Sequence, residues 1–219
     1  SYWGAGGAGH GGTGGKGAGN NGGAAGGSAT DVLFGPLQLG SGGGTNNGCT
    51  AGTGGGLLVI RVTGIFTVDG TISANGTHGN QSSYYYAAGG GAGGTIWLEA
   101  GQLVGTGYVT AHGGNGGSTN YARAGGGAGG RVVLDSDGVN AVAFGASGGS
   151  STAQIGGAGT VLVLDDDSTH GTLHMLNGGA GAETPLSSGL HPFDAMHIMG
   201  GARAWVINTT TLSVAGLVE

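Results

Sequence analysis

With 219 residues, 60 of them glycine, 3 proline and only 7% charged, the chain departs from both ordinary globular and charge-driven disordered compositions. Collagen is excluded, because it needs glycine at every third position together with abundant proline. The formal charge of −6, from 11 acidic against 5 basic residues, leaves no basic stripe for nucleic acid, and so sparsely charged a surface favours self-association.

The first residues, Ser1-Tyr2-Trp3, lack a basic and apolar leader, which implies either a removed signal or a start within a longer protein. Residues 4–27 are almost wholly Gly, Ala, Asn and isolated polar residues. Gly6, Gly9, Gly12 and Gly15 keep a period of three, as do Gly11, Gly14 and Gly17. That period matches the left-handed polyproline-II helix, which makes no internal hydrogen bonds and must pair with neighbouring strands or water. A short N-terminal arm is expected here. Asp31-Val32-Leu33-Phe34 predicts a first apolar strand, punctuated by Gly35-Pro36, and Leu37-Gln38-Leu39 alternates briefly. A second glycine-rich stretch runs from Gly40 to Gly56 and carries Cys49, the single cysteine, which can form no internal disulfide and is expected to be buried. The longest apolar run, Leu57-Leu58-Val59-Ile60, is far too short to span a membrane, so no membrane insertion is expected.

From Leu57 onward a repeat is legible. Glycine-rich blocks Gly89-Gly90-Gly91-Ala92-Gly93-Gly94 and Gly125-Gly126-Gly127-Ala128-Gly129-Gly130 each run into a short apolar strand, Thr95-Ile96-Trp97-Leu98 and Arg131-Val132-Val133-Leu134. Strand starts at Leu57, Thr95, Arg131 and Thr160 are 38, 36 and 29 residues apart, within the range of repeat architectures. A second, alternating strand follows each first one. Residues 67–76 are the clearest case, 105–113 a close copy, 143–148 a worn one and 172–178 a fourth. Period-2 alternation and the Thr, Val and Ile content predict an all-β fold, and no window reads as an amphipathic helix. A single unit has too few apolar side chains to bury alone, so the units are expected to stack as a β-solenoid with polyproline-II-like glycine excursions.

This gives three regions: a glycine-rich arm with one short strand pair over 1–56, solenoid repeats over 57–180, and further β strands over 181–219. The last region either continues the solenoid or pairs with a neighbouring subunit. No cap closes the end at Val218-Glu219, which suggests a fragment of a longer chain or an edge paired by another subunit.

The phrase Gly-Gly-Ala-Gly-Gly-Thr-Ile-Trp-Leu-Glu-Ala at 90–100, with Thr71-Ile72-Ser73-Ala74-Asn75-Gly76, resembles glycine-rich β-solenoid repeats of large secreted bacterial surface proteins of adhesin or fibre type. The likeness covers roughly residues 54–165. It implies an extracellular or cell-surface, structural or adhesive role and assigns no catalytic positions.

The residues themselves offer little chemistry. Asp165-Asp166-Asp167 with His170, and Asp135-Ser136-Asp137-Gly138, lack the full oxygen sets of calcium loops and read as turns. The histidines are scattered, and His170 and His174 would share a face only on a helix, so neither a metal nor another cofactor is expected. Tyr84, Tyr85, Tyr86 and Tyr121, with Arg123, fall in excursions and are the candidate assembly or glycan contacts. Asn75, Asn80 and Asn208 match the glycosylation acceptor pattern, which a chain so rich in Asn and Thr produces by chance. The repeat glycines Gly89, Gly90, Gly91, Gly93, Gly94, Gly125, Gly126, Gly127, Gly129 and Gly130 are architectural. The favoured reading is a non-enzymatic, self-assembling fibre or sheath subunit. Its rivals are a cell-surface or phage-type adhesin for glycans or receptors, and a carbohydrate-active β-helix.

Overall fold

The structure, a computed structural model, describes residues 3–30, 32–33, 35–82, 85–165, 169–186, 190–206 and 211–214. Among the described residues every regular element is a β-strand and no helix forms, as the alternating sequence predicts.

Strands Leu57–Thr67, Thr95–Val104, Arg131–Ser136 and Thr160–Leu164 lie side by side and parallel. Their starts are in register, Leu57 on Thr95, Thr95 on Arg131 and Arg131 on Thr160. The three short second strands, Thr71–Ser73, Tyr108–Thr110 and Ala143–Gly145, form their own parallel sheet, with Thr71 on Tyr108 and Tyr108 on Ala143. One apolar cluster joins the two sheets: Ile96, Leu98, Val132, Leu134 and Val161 meet Val68, Val109 and Val142. Each such side chain contributes about 1.5–3 kcal/mol on burial.

The alternation along the strands supplies the second face as well. Val133 and Leu162 point the other way and pack with Leu173, Met175, Leu186, Phe193 and Met196. Leu33 joins this second cluster. Its neighbourhood departs from expectation. Asp31 and Phe34 lie outside the described residues, and Val32–Leu33 and 37–39 form no strand. The turn at Gly35, with φ of 68°, lets Leu33 plug the core while Leu37 and Leu39 stay exposed.

A further correction concerns 172–178, expected as a copy of the second strand. Thr172–Leu176 instead turns back at Gly171, whose φ of 80° suits glycine, and pairs antiparallel with Thr160–Leu164. It then carries Ala195–Met199 in parallel, Thr172 on Ala195. Thr184–Leu186 pairs in the same sense with Ala204–Val206, and Leu190–Phe193 with Thr211–Val214.

The two glycine blocks are hydrogen-bonded as regularly as the strands. Along 89–94, successive N–H groups donate to Gly44, Gly125, Thr77, Ser41, Ala128 and Ala74, so the same three neighbours recur every third residue. Carbonyls of 88–92 accept from Gly52 and Gly55, from Ala8, and from Gly114 and Gly117. Six neighbours thus surround one extended chain. Segment 124–130 is surrounded likewise, donating to Gly117, Ala5, Gln154, Gly114, Ala8, Gly157 and Ala111 in turn. A rotation of three residues per turn is the geometry of the polyproline-II helix. Side chains would prevent the approach: a Cβ on Gly90 would stand 1.9 Å from the Gly114 carbonyl oxygen. The segment expected as an N-terminal arm lies within this packing. Gly4 to Gly12 are buried; Ala8 is hydrogen-bonded to both repeat blocks, at Gly90 and Ala128, and Ala5 to Ala87 and Gly125.

Candidate functional site

The repeat glycines are interior: residues 89–94 and 125–130 are buried throughout, so they build the frame and contact no solvent-borne ligand. Three exposed or half-exposed features among the described residues bear first on function.

The first is the outer strand. Among the described residues, Leu57–Thr67 pairs only with Thr95–Val104, leaving its other side open. Leu57, Leu58, Val59 and Ile65 are 39%, 37%, 37% and 65% exposed. The glycine preceding each ladder strand shows what this side resembles. A Cβ on Gly94 would lie 1.9 Å from the Gly56 oxygen, one on Gly130 2.0 Å from Gly94, and one on Gly159 1.9 Å from Gly130. A Cβ on Gly56 would meet nothing within 4 Å. Gly56 therefore repeats a steric requirement that no layer among the described residues imposes on it. Arg61 Nε donates to Glu99 Oε2 at 2.7 Å across the first two layers and lies over the Trp97 ring, an exposed pair of small energetic weight.

The second is aromatic. The structure brings Tyr85 and Tyr121 together from different excursions, with ring centroids 5.6 Å apart and planes 35° apart. Both are about two-fifths exposed, at 41% and 45%. Tyr86 is half-buried in the strand Tyr86–Ala87, which pairs with Trp3–Gly4 and Gln81–Ser82. Tyr84 lies outside the described residues. Arg123 is exposed on Ala122–Arg123, antiparallel to Ala18–Gly19, and with Tyr121, Asn20 and Asn120 it lines a small cleft of about 210 Å³.

The third is a histidine group that sequence reasoning did not assemble. His174 and His197 occupy opposed positions on parallel strands and stack, centroids 4.8 Å and planes 9° apart, with Phe144 5.0 Å from His174. Burial, aided by the charge of His197, pushes the His174 pKa down to about 4. Burial also lowers that of His112, whose Nδ1 accepts the Ser147 N–H at 3.0 Å. His170 belongs elsewhere, 3.7 Å from Asp194. Asp194 accepts backbone N–H bonds from His170 and Gly171, and the first of these does most to lower its pKa. Burial, then Glu99 and Asp137, raises that of Asp135. No three metal-ligating side chains gather among the described residues, and Asp166 and Asp167 lie outside them.

Polar residues at a spacing of three were also missed as a group. Asn75 Oδ1 accepts the His112 N–H, His78 Nδ1 the Asn115 N–H, and Gln81 Oε1 the Ser118 N–H. One layer on, Asn115 Oδ1 accepts the Ser150 N–H. The signal was present as Asn75-x-x-His78-x-x-Gln81 and His112-x-x-Asn115-x-x-Ser118. Asn75 and Asn80, read as chance glycosylation matches, are thus inter-segment acceptors, Asn80 Oδ1 taking the Thr50 N–H at 2.7 Å. Asn208 lies outside the described residues. Cys49 is buried, its Sγ accepting the Ser82 N–H. Comparison of the chain with protein-family models, with curated proteins and with solved structures finds no match.

Proposed function

We propose that the chain is a structural module of an extracellular or cell-surface assembly, a β-solenoid braced by polyglycine-type helices, which associates with further copies through its outer strand. The observation that carries this reading is Gly56, a glycine shaped for a layer above it on a strand edge that is open and apolar. An unprotected parallel edge of this length is a template for further strands, and natural monomers normally blunt such edges with charge, bulges or proline. Here the blunting is partial: a register shift between Val62 and Ile65, and the single cation Arg61, which is engaged by Glu99. The second copy would extend the ladder without new chemistry. Sedimentation velocity and electron microscopy over a concentration series test it. Wild-type chain should form dimers or filaments, and Ile65→Lys should remain monomeric with an unchanged circular-dichroism spectrum. A wild-type protein that stays monomeric at high concentration refutes the reading.

The tilted pair Tyr85 and Tyr121 supports a second reading, adhesion to a glycan by stacking on exposed rings beside Arg123. Replacing both tyrosines with alanine should then abolish retention on a glycan array while leaving assembly intact. Equal retention of the double variant would dismiss it.

A further inference from the structure

The N-terminal glycine segment is less completely surrounded than the two repeat blocks. Going round Ala5 to Gly9, the neighbours are 24–27, 14–17, 124–130, 88–94 and 41–44. Each is hydrogen-bonded to the segment, and each consecutive pair in that order is itself bonded, through Gly14 to Gly27, Gly15 to Gly126, Gly90 to Gly125 and Ala92 to Ser41. Among the described residues the ring has five corners. Between 41–46 and 24–27, where the sixth corner falls, runs an open groove of about 470 Å³ floored by residues 4–9.

The polarity of the ring says what that corner would take. Segment 24–27 donates to Gly4 and Gly7, segment 14–17 accepts from Gly7, and segment 124–130 donates to Ala5 and Ala8. Segment 88–94 (with Ala87) accepts from Ala5 and Ala8, and segment 41–44 donates to Gly6. Donors and acceptors of the central chain alternate round the ring, so the sixth corner requires donation. The N–H groups of Gly6 and Gly9, three residues apart on one face and both buried, find no acceptor among the described residues. Buried backbone donors are almost always paired, and a three-residue helix repeats its donors at this spacing.

We infer that this groove binds an extended glycine-rich strand of a partner polypeptide, whose carbonyls at every third residue accept from Gly6 and Gly9. The walls select for such a strand. Ala24, Ala25 and Gly42 present no side chain larger than a methyl group, while Ser41, whose hydroxyl donates to the Gly9 carbonyl, and Trp3, Thr45 and Asn46 complete the lining. The strand would complete the sixfold packing already present around 88–94 and 124–130.

The test is amide hydrogen exchange and ¹H–¹⁵N spectroscopy of the full chain, titrated with a synthetic acetylated (Gly-Gly-Ala) repeat peptide. Saturable shifts at Gly6 and Gly9, with exchange slowed by about tenfold or more, are expected. Ala25→Leu, on the exposed wall, should remove the effect while keeping the rest of the spectrum. Unmoved Gly6 and Gly9 resonances, or amides already strongly protected without peptide, would overturn the inference. Protection produced by a neutral oligosaccharide but not by the peptide would overturn it in favour of a sugar polymer. Protection arising from raised protein concentration alone would replace the separate partner with a second copy.

Discussion

Gly130 lies so close to Gly94 that a Cβ on the former would stand 2.0 Å from the carbonyl oxygen of the latter. The obstacle is backbone on both sides, which no rotamer change relieves. Gly94→Ala and Gly130→Ala should therefore each cost about 3 kcal/mol or more, or prevent folding. Gly56→Ala, in the same register but facing open space, should change monomer stability by less than about 1 kcal/mol, with a small gain from the stiffer unfolded chain. Urea unfolding of the three variants measures the contrast. If Gly56→Ala also leaves the assembly of the wild-type chain intact, no layer sits on Gly56 and the proposed mode of association fails.

Much of the ladder was legible. The spacing of Leu57, Thr95, Arg131 and Thr160 fixes a register that the strand pairing reproduces, because apolar strands that must share one core repeat their side-chain pattern from layer to layer. The interior position of Ala5 and Ala8 was not legible. A glycine segment buries backbone, and burial of backbone leaves no hydrophobic periodicity to read; only the period of three at Gly6, Gly9 and Gly12 hinted at it. The reversal at Gly171 was hidden for a different reason. One positive φ decides whether 172–176 continues the second sheet or folds back on Thr160–Leu164, and many glycines in this chain could have supplied it. The pairing of Tyr85 with Tyr121 joins two excursions 36 positions apart (121 − 85) and needed the layer register to be seen.

Thr95 links a buried histidine to the strand ladder. Its hydroxyl donates to the Gln38 carbonyl at 2.8 Å, so the 3.1 Å contact with His10 Nε2 has the imidazole N–H donating to Thr95 Oγ1. Thr95→Val keeps the shape but removes the acceptor for His10 and the donor for Gln38. A loss of about 1–3 kcal/mol is expected in urea unfolding. Thr71→Val, on an exposed position of the second sheet, should change stability by less than about 0.5 kcal/mol. Equal effects at the two sites would mean that the His10 bond has no energetic weight.

The acceptor side chains along the surface predict a chemical rather than steric sensitivity. Asn115 Oδ1 takes the Ser150 N–H at 2.8 Å. Asn115→Ala exposes that N–H to water and should cost about 0.5–1.5 kcal/mol. Asn115→Asp keeps an acceptor at the same reach and should recover most of it. Exchange rates of the Ser150 amide report the bond directly: faster in the alanine variant, near wild type in the aspartate variant. An alanine variant whose Ser150 amide exchanges as slowly as before would show that the bond does not form in solution.

The stacked pair His174 and His197 makes stability depend on pH in a defined direction. His174 titrates near 4 when folded, chiefly because its ring is buried, against about 6.5 in the unfolded chain. Between those values the unfolded state binds more protons, so stability rises with pH through that window. It is fully present above about 6.5 and lost as pH falls toward 4. The full shift would be worth roughly 3 kcal/mol, and the partial exposure of the ring reduces this to about 1–2 kcal/mol. His112, also lowered by burial, acts in the same sense. His174→Phe removes the proton site and keeps an aromatic ring beside Phe144 and His197, so the dependence of the urea midpoint on pH between 4 and 6.5 should flatten markedly. A variant with the wild-type slope would place the titrating group elsewhere and leave the stacked pair without a role in acid sensitivity.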